Sequence, residues 1–317
     1  MISADAICME VQKKVLKERP ANCFEPWGEK EEKVLEGGVR YSPNFRYGSE
    51  WPNSYFDIWR PKEKGIYPTI LYFHGGGFLF GDKVGGDPLA KGEDSSAAVL
   101  RGLAERGYCI VSADYALAPE YRFPEQCRQM NALLAFLMGH GNEYGLDTGR
   151  LVLMGSSAGA DMVEIYGALL TAPDYAAALG VSPAIRKEQV NAIVVDEATL
   201  NLDYMMDSQN LLWLMGSWLG VEPLDGSREA KLMNAAKYIR EGYPPTFIIS
   251  SNQEHYFYDS GKDLEAVLAR LDIPREHYYC PAEEDRLEHG FMNRYQSNPH
   301  AAECFGRMVA FLKKYAD

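Results

Sequence analysis

Ser157 stands between two glycines in the sequence GSSAG, residues 155–159, directly after the apolar run LVLM. In a strand-to-helix turn this spacing forces the serine into a strained, exposed conformation, and a Cβ on either neighbouring glycine would collide with backbone. The unpaired amides at the start of the helix would face the negative oxygen of a carbonyl that the serine attacks. The pattern therefore predicts Ser157 as a nucleophile and the Ala158 amide as a donor to that oxygen.

A second glycine loop, HGGGF at residues 74–78, follows the apolar run TILYF. Because glycines let backbone amides approach the same oxygen, we expect Gly76 and Gly77 to complete the oxyanion hole. With the glycine and histidine content of this chain, GxSxG arises by chance in about one case in ten, but HGGG in only about 0.005 of cases. The two motifs together therefore favour acyl-transfer chemistry over unrelated turn glycines.

A serine hydroxyl needs a histidine to take its proton and an acid to orient that histidine, and in this arrangement the chain order is Ser, acid, His. His289 is the best candidate base, because it lies in the polar loop EEDRLEHGF after the last expected strand and Gly290 gives that loop freedom to turn. His277 lies within a strand-like run and His300 opens a helix, so we expect structural roles for both.

Short apolar runs alternate with segments of helical period from about residue 69 onward, which predicts β-α units and a mostly parallel sheet. The expected central strands are residues 69–73, 109–113, 151–154, 192–195, 246–250 and 276–280. The expected helices are residues 95–106, 125–138, 157–170, 261–271 and 300–315. Alternating residues 53–59 predict an antiparallel strand at one edge of the sheet.

Residues 1–48 and about 199–243 do not follow this rhythm, and we interpret them as helical cap segments on a single domain spanning 1–317. Large apolar side chains in these segments suit either core packing or a lid over a pocket, so both interpretations stay open. A lid would close the acyl side of the pocket with Met and Trp side chains: Trp27, Met205, Met206, Trp213 and Trp218.

The composition excludes several classes of protein. The net charge of −13, from 32 basic and 45 acidic residues, would repel nucleic acid and anionic lipid. Six scattered cysteines without close Cys or His spacing imply neither a zinc site nor a disulfide framework, and favour reduced thiols in the cytoplasm. No run approaches a membrane span, and no motif calls for a cofactor or metal. The sequence leaves open a signal peptide removed earlier and a homo-oligomer.

The sequence resembles the hormone-sensitive-lipase-like esterases of the α/β-hydrolase fold. The matching segments are HGGGF (74–78), DYALAPEYRFP (114–124), GSSAG (155–159), PPTFIIS (244–250) and HGF (289–291). The resemblance implies serine-dependent hydrolysis of carboxylic esters, often short-chain, with a helical cap partly formed by the amino terminus. It also implies oxyanion donors at Gly76, Gly77 and Ala158.

The acid is the main departure from the family pattern. The family's GxxDxLxD pattern after the strand TFIIS aligns His255 with the catalytic Asp and Asp259 with the second Asp. A one-residue shift would place Glu254 there, and a Glu can accept the histidine N–H. We therefore predict Glu254, with Asp259 or an acid-less site as alternatives; Asp259 is also expected to cap a helix that begins near Ser260.

These residues predict a carboxylesterase with Ser157, His289 and Glu254 as its triad, acting on small esters with acetyl to hexanoyl acyl groups. A degraded hydrolase that only binds a small molecule is the main alternative, because the acid region is irregular. A peptidase on the same fold is a further one. Asp161 and Glu164 fall on the helix after Ser157, where we interpret them as packing or hydrogen-bonding residues.

Overall fold

The computed structural model describes residues 3–28, 30–85 and 95–316, so residues 1, 2 and 29 of the expected amino-terminal cap lie outside it. Within the described residues nine strands form one sheet in the order β1-β2-β3-β5-β4-β6-β7-β8-β9. The strands are β1 (Lys33–Val34), β2 (Arg40–Arg46), β3 (Tyr55–Arg60), β4 (Tyr67–Phe73), β5 (Cys109–Ala113), β6 (Leu146–Ser156), β7 (Val190–Asp196), β8 (Thr246–Ser250) and β9 (Arg275–Tyr279). Strands β4 to β9 are parallel and β1 to β3 antiparallel, which confirms the predicted α/β-hydrolase fold.

Nine α-helices in the described residues cover this sheet and form its cap. They are α1 (Ala4–Leu16), α2 (Ser96–Ala104), α3 (Glu125–His140), α4 (Ala158–Leu169), α5 (Pro173–Leu179), α6 (Gln209–Leu219), α7 (Arg228–Met233), α8 (His255–Arg270) and α9 (Pro299–Ala316). Because alternate strand residues point to opposite faces, each side of the sheet has its own core. Leu71 and Leu153 pack towards α3 and α4 on one face. Ile70 and Val152 pack towards α2 and α9 on the other.

Three expectations about element positions were wrong. Strand β3 corresponds to the alternating residues 53–59, but β1 and β2 lie outside it, so it is not an edge strand. These two strands also mean that residues 33–46, expected in the cap, largely join the sheet. Helix α8 begins at His255, five residues before the expected start, so Asp259 lies inside the helix and does not cap it.

The cap is built mainly from α1 and α6, which pack against each other. Trp218 of α6 is buried and stacks on Phe78 of the glycine loop, with ring centroids 3.9 Å apart and planes at 6°. Its indole N–H donates to Gln126 Oε1 at 3.1 Å. This contact joins the cap directly to the loop after β4.

Among the described residues, no helix combines the length and the apolar character that crossing a bilayer requires.

Candidate active site

The turn that carries Ser157 lies where β6 meets α4. Ser157 has φ 54° and ψ −120°, a strained conformation for a residue with a Cβ. A Cβ at Gly155 would overlap the carbonyl oxygen of Gly159, and one at Gly159 would overlap the carbonyl oxygen of Phe73 at the end of β4. Only glycine therefore lets α4 begin this close to β4, and the turn presents Ser157 at the carboxyl edge of the sheet.

The glycine loop after β4 reaches the same place. Gly76 and Gly77 have φ values of 109° and 58°, which favour glycine. A Cβ at Gly76 would overlap the carbonyl oxygen of Phe80, and one at Gly77 would overlap the side chain of Leu214 in α6. Both glycines line one cavity together with Ser157 and Ala158.

A buried polar network packs against His74 at the start of the glycine loop. The His74 ring stacks on Tyr115 at 4.2 Å, and the Tyr115 hydroxyl donates to the His74 carbonyl oxygen at 2.8 Å. Asp114 Oδ1 accepts from the Lys83 backbone N–H at 2.6 Å and lies 3.8 Å from His74 Nε2. Burial lowers the pKa of His74.

The Lys83 side chain, only 2% exposed, extends this network to the sheet, with Nζ 3.4 Å from Asp57 Oδ1 and 3.8 Å from Asp114 Oδ2. Burial raises the pKa of Asp57 to about 6, although the Lys83 ammonium and the Tyr41 hydroxyl act in the opposite direction. The buried cation therefore links strand β3, which carries Asp57, to the loop after β5, which carries Asp114.

His289 lies at the same cavity, and the carboxylate against its ring is that of Glu197. Glu197 Oε2 is 2.6 Å from His289 Nδ1 and also accepts the Gly290 backbone N–H at 2.6 Å. The Glu197 side chain is fully buried, and its backbone, with φ 63°, turns sharply at the end of β7. The ring of Phe257 stacks on one face of the imidazole, with the ring centroids 4.4 Å apart.

Glu197, and not the predicted Glu254, is the carboxylate that lies at His289 Nδ1. The prediction of Glu254 assumed that the acid follows β8, whereas the carboxylate at His289 Nδ1 follows the neighbouring strand β7. The signal that could have revealed it is the Asp196–Glu197 pair directly after the apolar run AIVV, in the required order between Ser157 and His289. The sequence alone does not show that β7 lies beside β8, so it gave no reason to prefer this pair over Glu254 as the partner of His289.

Glu254 itself precedes α8 and lines the cavity together with Ser157 and His289. The alternative acid, Asp259, lies one turn into α8 and is not among the residues that line the cavity. The structure therefore brings six of the predicted site residues around one cavity: Gly76, Gly77, Ser157, Ala158, Glu254 and His289. Glu197, which was not predicted, lies against His289 Nδ1.

Three further carboxyl groups, on α4 and β7, are buried: those of Asp161, which lines the cavity, Glu164 and Asp196. Burial raises the pKa of Asp161 and of Glu164 to about 8 in each case, and the neighbouring Asp161 and Asp263 also raise that of Glu164. Burial and the adjacent Glu197 carboxylate raise the pKa of Asp196. Asp161 fits the expected hydrogen-bonding role, because its Oδ1 accepts the Thr199 backbone N–H at 2.8 Å.

The cavity has a volume of about 190 Å³ and mostly apolar walls. Its cap side is formed by Leu211, Leu214 and Met215 of α6, and its other apolar walls by Phe78, Phe80, Tyr256 and Phe257. None of the Met and Trp residues expected to close the pocket is among its lining residues; for example, Trp27 and Met206 are exposed and Met205 and Trp218 are buried in the core.

One group of side chains with metal-ligand chemistry occurs among the described residues, away from this cavity. Cys280, Glu284 and His300 each offer a ligand atom, and these atoms lie within 4.8 Å of one another. Glu284 belongs to the loop that carries His289, and Cys280 and His300 lie before and after that loop.

The fold and this arrangement define the chain as an α/β-hydrolase, and comparison with known proteins agrees. The BD-FAE family model matches residues 56–266, most of the chain. The chain therefore belongs to the BD-FAE family, within the hormone-sensitive-lipase-like α/β-hydrolases.

Several characterised proteins are similar to it. Carboxylesterase NlhH of Mycobacterium tuberculosis is 24% identical over 263 residues, covering 81% of this chain and 76% of NlhH. Acetyl esterase of Salmonella paratyphi B is 28% identical over 227 residues, covering 67% of this chain and 63% of that protein. The crystal structure of esterase B from Lactobacillus rhamnosis superposes with a TM-score of 0.72 at 20% identity, covering 98% and 93% of the two chains.

The raised pKa of Glu164 predicts a pH-dependent stability. The folded state holds this proton more tightly than the unfolded state, so its contribution to stability falls as pH rises from about 4.5 to about 8. In Glu164→Gln this loss is absent. The free energy of unfolding of the variant relative to wild type should therefore rise between pH 5 and pH 8, on the order of 2 kcal/mol.

Urea unfolding of both proteins at several pH values measures this difference. Glu241→Gln, at an exposed side chain, is the matched control and should show a difference that does not change with pH. An equally flat difference for Glu164→Gln would contradict the assignment of a raised pKa.

Proposed function

We propose that this chain is a serine carboxylesterase that hydrolyses small, short-chain esters through an acyl-enzyme. Its family and its esterase relatives support carboxylic ester hydrolysis as the class of reaction. The observation that carries the serine mechanism is the convergence on one cavity of Ser157 in its strained turn and His289 backed by a buried carboxylate.

In the first half of the reaction, the Ser157 hydroxyl attacks the ester carbonyl and His289 takes its proton through Nε2. The carbonyl oxygen becomes an oxyanion, which the amides of Gly76, Gly77 and Ala158 stabilise at the start of α4 and in the glycine loop. When the tetrahedral intermediate collapses, the bond to the alcohol breaks and His289 gives its proton to the leaving oxygen.

In the second half, His289 takes a proton from water, and the resulting hydroxide attacks the acyl carbon. The acid leaves and the proton returns to Ser157. Glu197 acts through His289: its carboxylate accepts the Nδ1–H, fixes the tautomer with Nε2 towards Ser157, and stabilises the imidazolium that forms. The same oxygen holds the Gly290 amide, so Glu197 also fixes the loop that carries His289.

The presence of Glu197 favours turnover over the alternative of a degraded hydrolase that only binds ligands, because that alternative rested on a missing acid. Cavity size supports small acyl groups, since about 190 Å³ is below the roughly 300–1,000 Å³ of pockets for drug-sized ligands. The cysteines described are all free thiols, which supports our placement of the protein in the cytoplasm.

Replacement of the nucleophile tests the proposal. Wild type should hydrolyse p-nitrophenyl acetate and butyrate, and Ser157→Ala should lower kcat by about 10⁴ to 10⁶. Ser182→Ala, at an exposed serine, is the control and should retain wild-type rates. An inert wild type, or a fully active Ser157→Ala, would contradict the proposal. A fluorophosphonate probe should label wild type at Ser157 and leave Ser157→Ala unlabelled.

Two isosteric variants separate the candidate acids. Glu197→Gln should reduce kcat by about 10² to 10⁴, because the amide cannot stabilise the imidazolium. Glu254→Gln should reduce it less than about tenfold, because its side chain lines the cavity without taking the place of Glu197 at Nδ1. Steady-state kinetics with p-nitrophenyl butyrate measures both, with circular dichroism as the check of folding. The reverse ranking would return the acid role to Glu254.

Acyl-chain length tests the size of the cavity. Each methylene that fits contributes at most about 0.8 kcal/mol, whereas one that overfills a rigid pocket costs about 1–3 kcal/mol. The value of kcat/KM should therefore fall abruptly beyond about six carbons in a series of p-nitrophenyl esters from acetate to palmitate. An optimum at twelve carbons or longer would mean that the cap leaves the cavity open.

A further inference from the structure

The floor of the cavity contains a polar pair that the proposed mechanism does not use. Asp161 and Thr199 both line the cavity, although they are only 1% and 5% exposed. Asp161 belongs to the first turn of α4, and Thr199 to the loop that follows β7 and Glu197. The hydrogen bond from the Thr199 backbone N–H to Asp161 Oδ1 fixes the two residues against each other.

The Thr199 hydroxyl has no hydrogen-bond partner among the described residues, although its oxygen is buried. A buried hydroxyl without a partner costs about 1–3 kcal/mol, which native structures seldom leave uncompensated. The Thr199 backbone N–H donates to one carboxyl oxygen of Asp161, which leaves the second oxygen for a hydrogen bond with a ligand. Burial raises the pKa of Asp161 to about 8, which lets it carry a proton and donate at neutral pH.

The chemistry of the walls limits what can bind there. Apart from this pair, Glu254, the Tyr256 hydroxyl and the groups assigned to the reaction, the lining consists of aliphatic, thioether and aromatic side chains. None of the described lining residues is Lys or Arg, and Glu254 and Glu197 are both acidic, so an anionic substituent would be repelled. The pair therefore suits a neutral group that can both donate and accept a hydrogen bond.

We infer that Asp161 and Thr199 form a hydroxyl-binding subsite, and that the preferred substrates are short esters carrying a hydroxyl group near the ester carbonyl. This inference rests on the proposed esterase function and names its substrate class.

The position of Asp161 relative to Ser157 limits where that hydroxyl can lie. Asp161 belongs to the first turn of α4, which begins directly after Ser157, and both residues line the cavity. A substrate hydroxyl bound by the pair must therefore lie close to the reacting carbonyl. Such a hydroxyl can belong to the acyl group, as in 3-hydroxybutyrate, or to the alcohol, as in glycerol.

Matched pairs of substrates distinguish these two sources. On the acyl side, we compare the p-nitrophenyl esters of 3-hydroxybutyrate and butyrate. On the alcohol side, we compare 1-butyrylglycerol with propyl butyrate. In wild type, one of the two hydroxylated substrates should have a kcat/KM about tenfold above its partner, the factor expected for one neutral hydrogen bond.

Thr199→Val replaces the hydroxyl by a methyl group of similar shape and should bring that ratio close to one. Thr171→Val is the control, because Thr171 lies beyond the far end of α4, about 21 Å along the helix from Ser157; it should keep the wild-type ratio. Wild-type ratios near one for both pairs, or a ratio that survives Thr199→Val, would overturn the subsite.

A binding measurement distinguishes failure of the proposed subsite from failure of the esterase proposal. Calorimetry with Ser157→Ala and the intact esters reads the same preference without turnover, and the additional change Thr199→Val should remove it. If hydrolysis fails but binding still favours the hydroxylated ester, the proposed reaction is wrong and the subsite stands. If both esters are hydrolysed at equal rates and bind equally, the subsite is wrong and the esterase stands.

Discussion

The site depends on how closely the start of α4 approaches the end of β4. At Gly159 there is no room for a side chain, because a Cβ would overlap the Phe73 carbonyl oxygen. This contact brings the first amides of α4 next to the glycine loop that continues from β4. The strained backbone of Ser157 persists because the surrounding parallel strands, buried on both faces, hold the two ends of the turn in place.

Buried charge supports the glycine loop and the loop that carries His289 in different ways. Behind the glycine loop, Lys83 is enclosed with Asp57 and Asp114, so the charges compensate one another. Next to the loop that carries His289, the Glu197 carboxylate is paired with the His289 ring and accepts the Gly290 backbone N–H. The carboxyls of Asp161, Glu164 and Asp196 are also buried, and burial raises their pKa values, so they can stay protonated in the folded protein. Among the described residues that line the cavity, His289 is the only basic side chain, and the carboxyls of Asp161, Glu197 and Glu254 lie at or near the cavity.

Much of the fold was predictable because it rests on local patterns. Five of the six parallel strands contain an apolar run, and Ser157 and the glycine loop directly follow two of them. Glu197 could not be singled out, because its role depends on β7 lying beside β8 and on the direction in which one side chain turns. Similarly, β1 is only two residues long and β2 is mixed in polarity. The cap residues that reach the cavity depend on which face of α6 turns inward.

The most direct test is a crystal structure of the enzyme after reaction with diethyl p-nitrophenyl phosphate. The Ser157 oxygen forms a bond to phosphorus, p-nitrophenolate leaves, and His289 takes the serine proton. We expect the phosphoryl oxygen at about 3 Å from the amides of the glycine loop and Ala158, and the Glu197 carboxylate against His289 Nδ1. Phosphorus on another side chain, or a different carboxylate at Nδ1, would contradict this account.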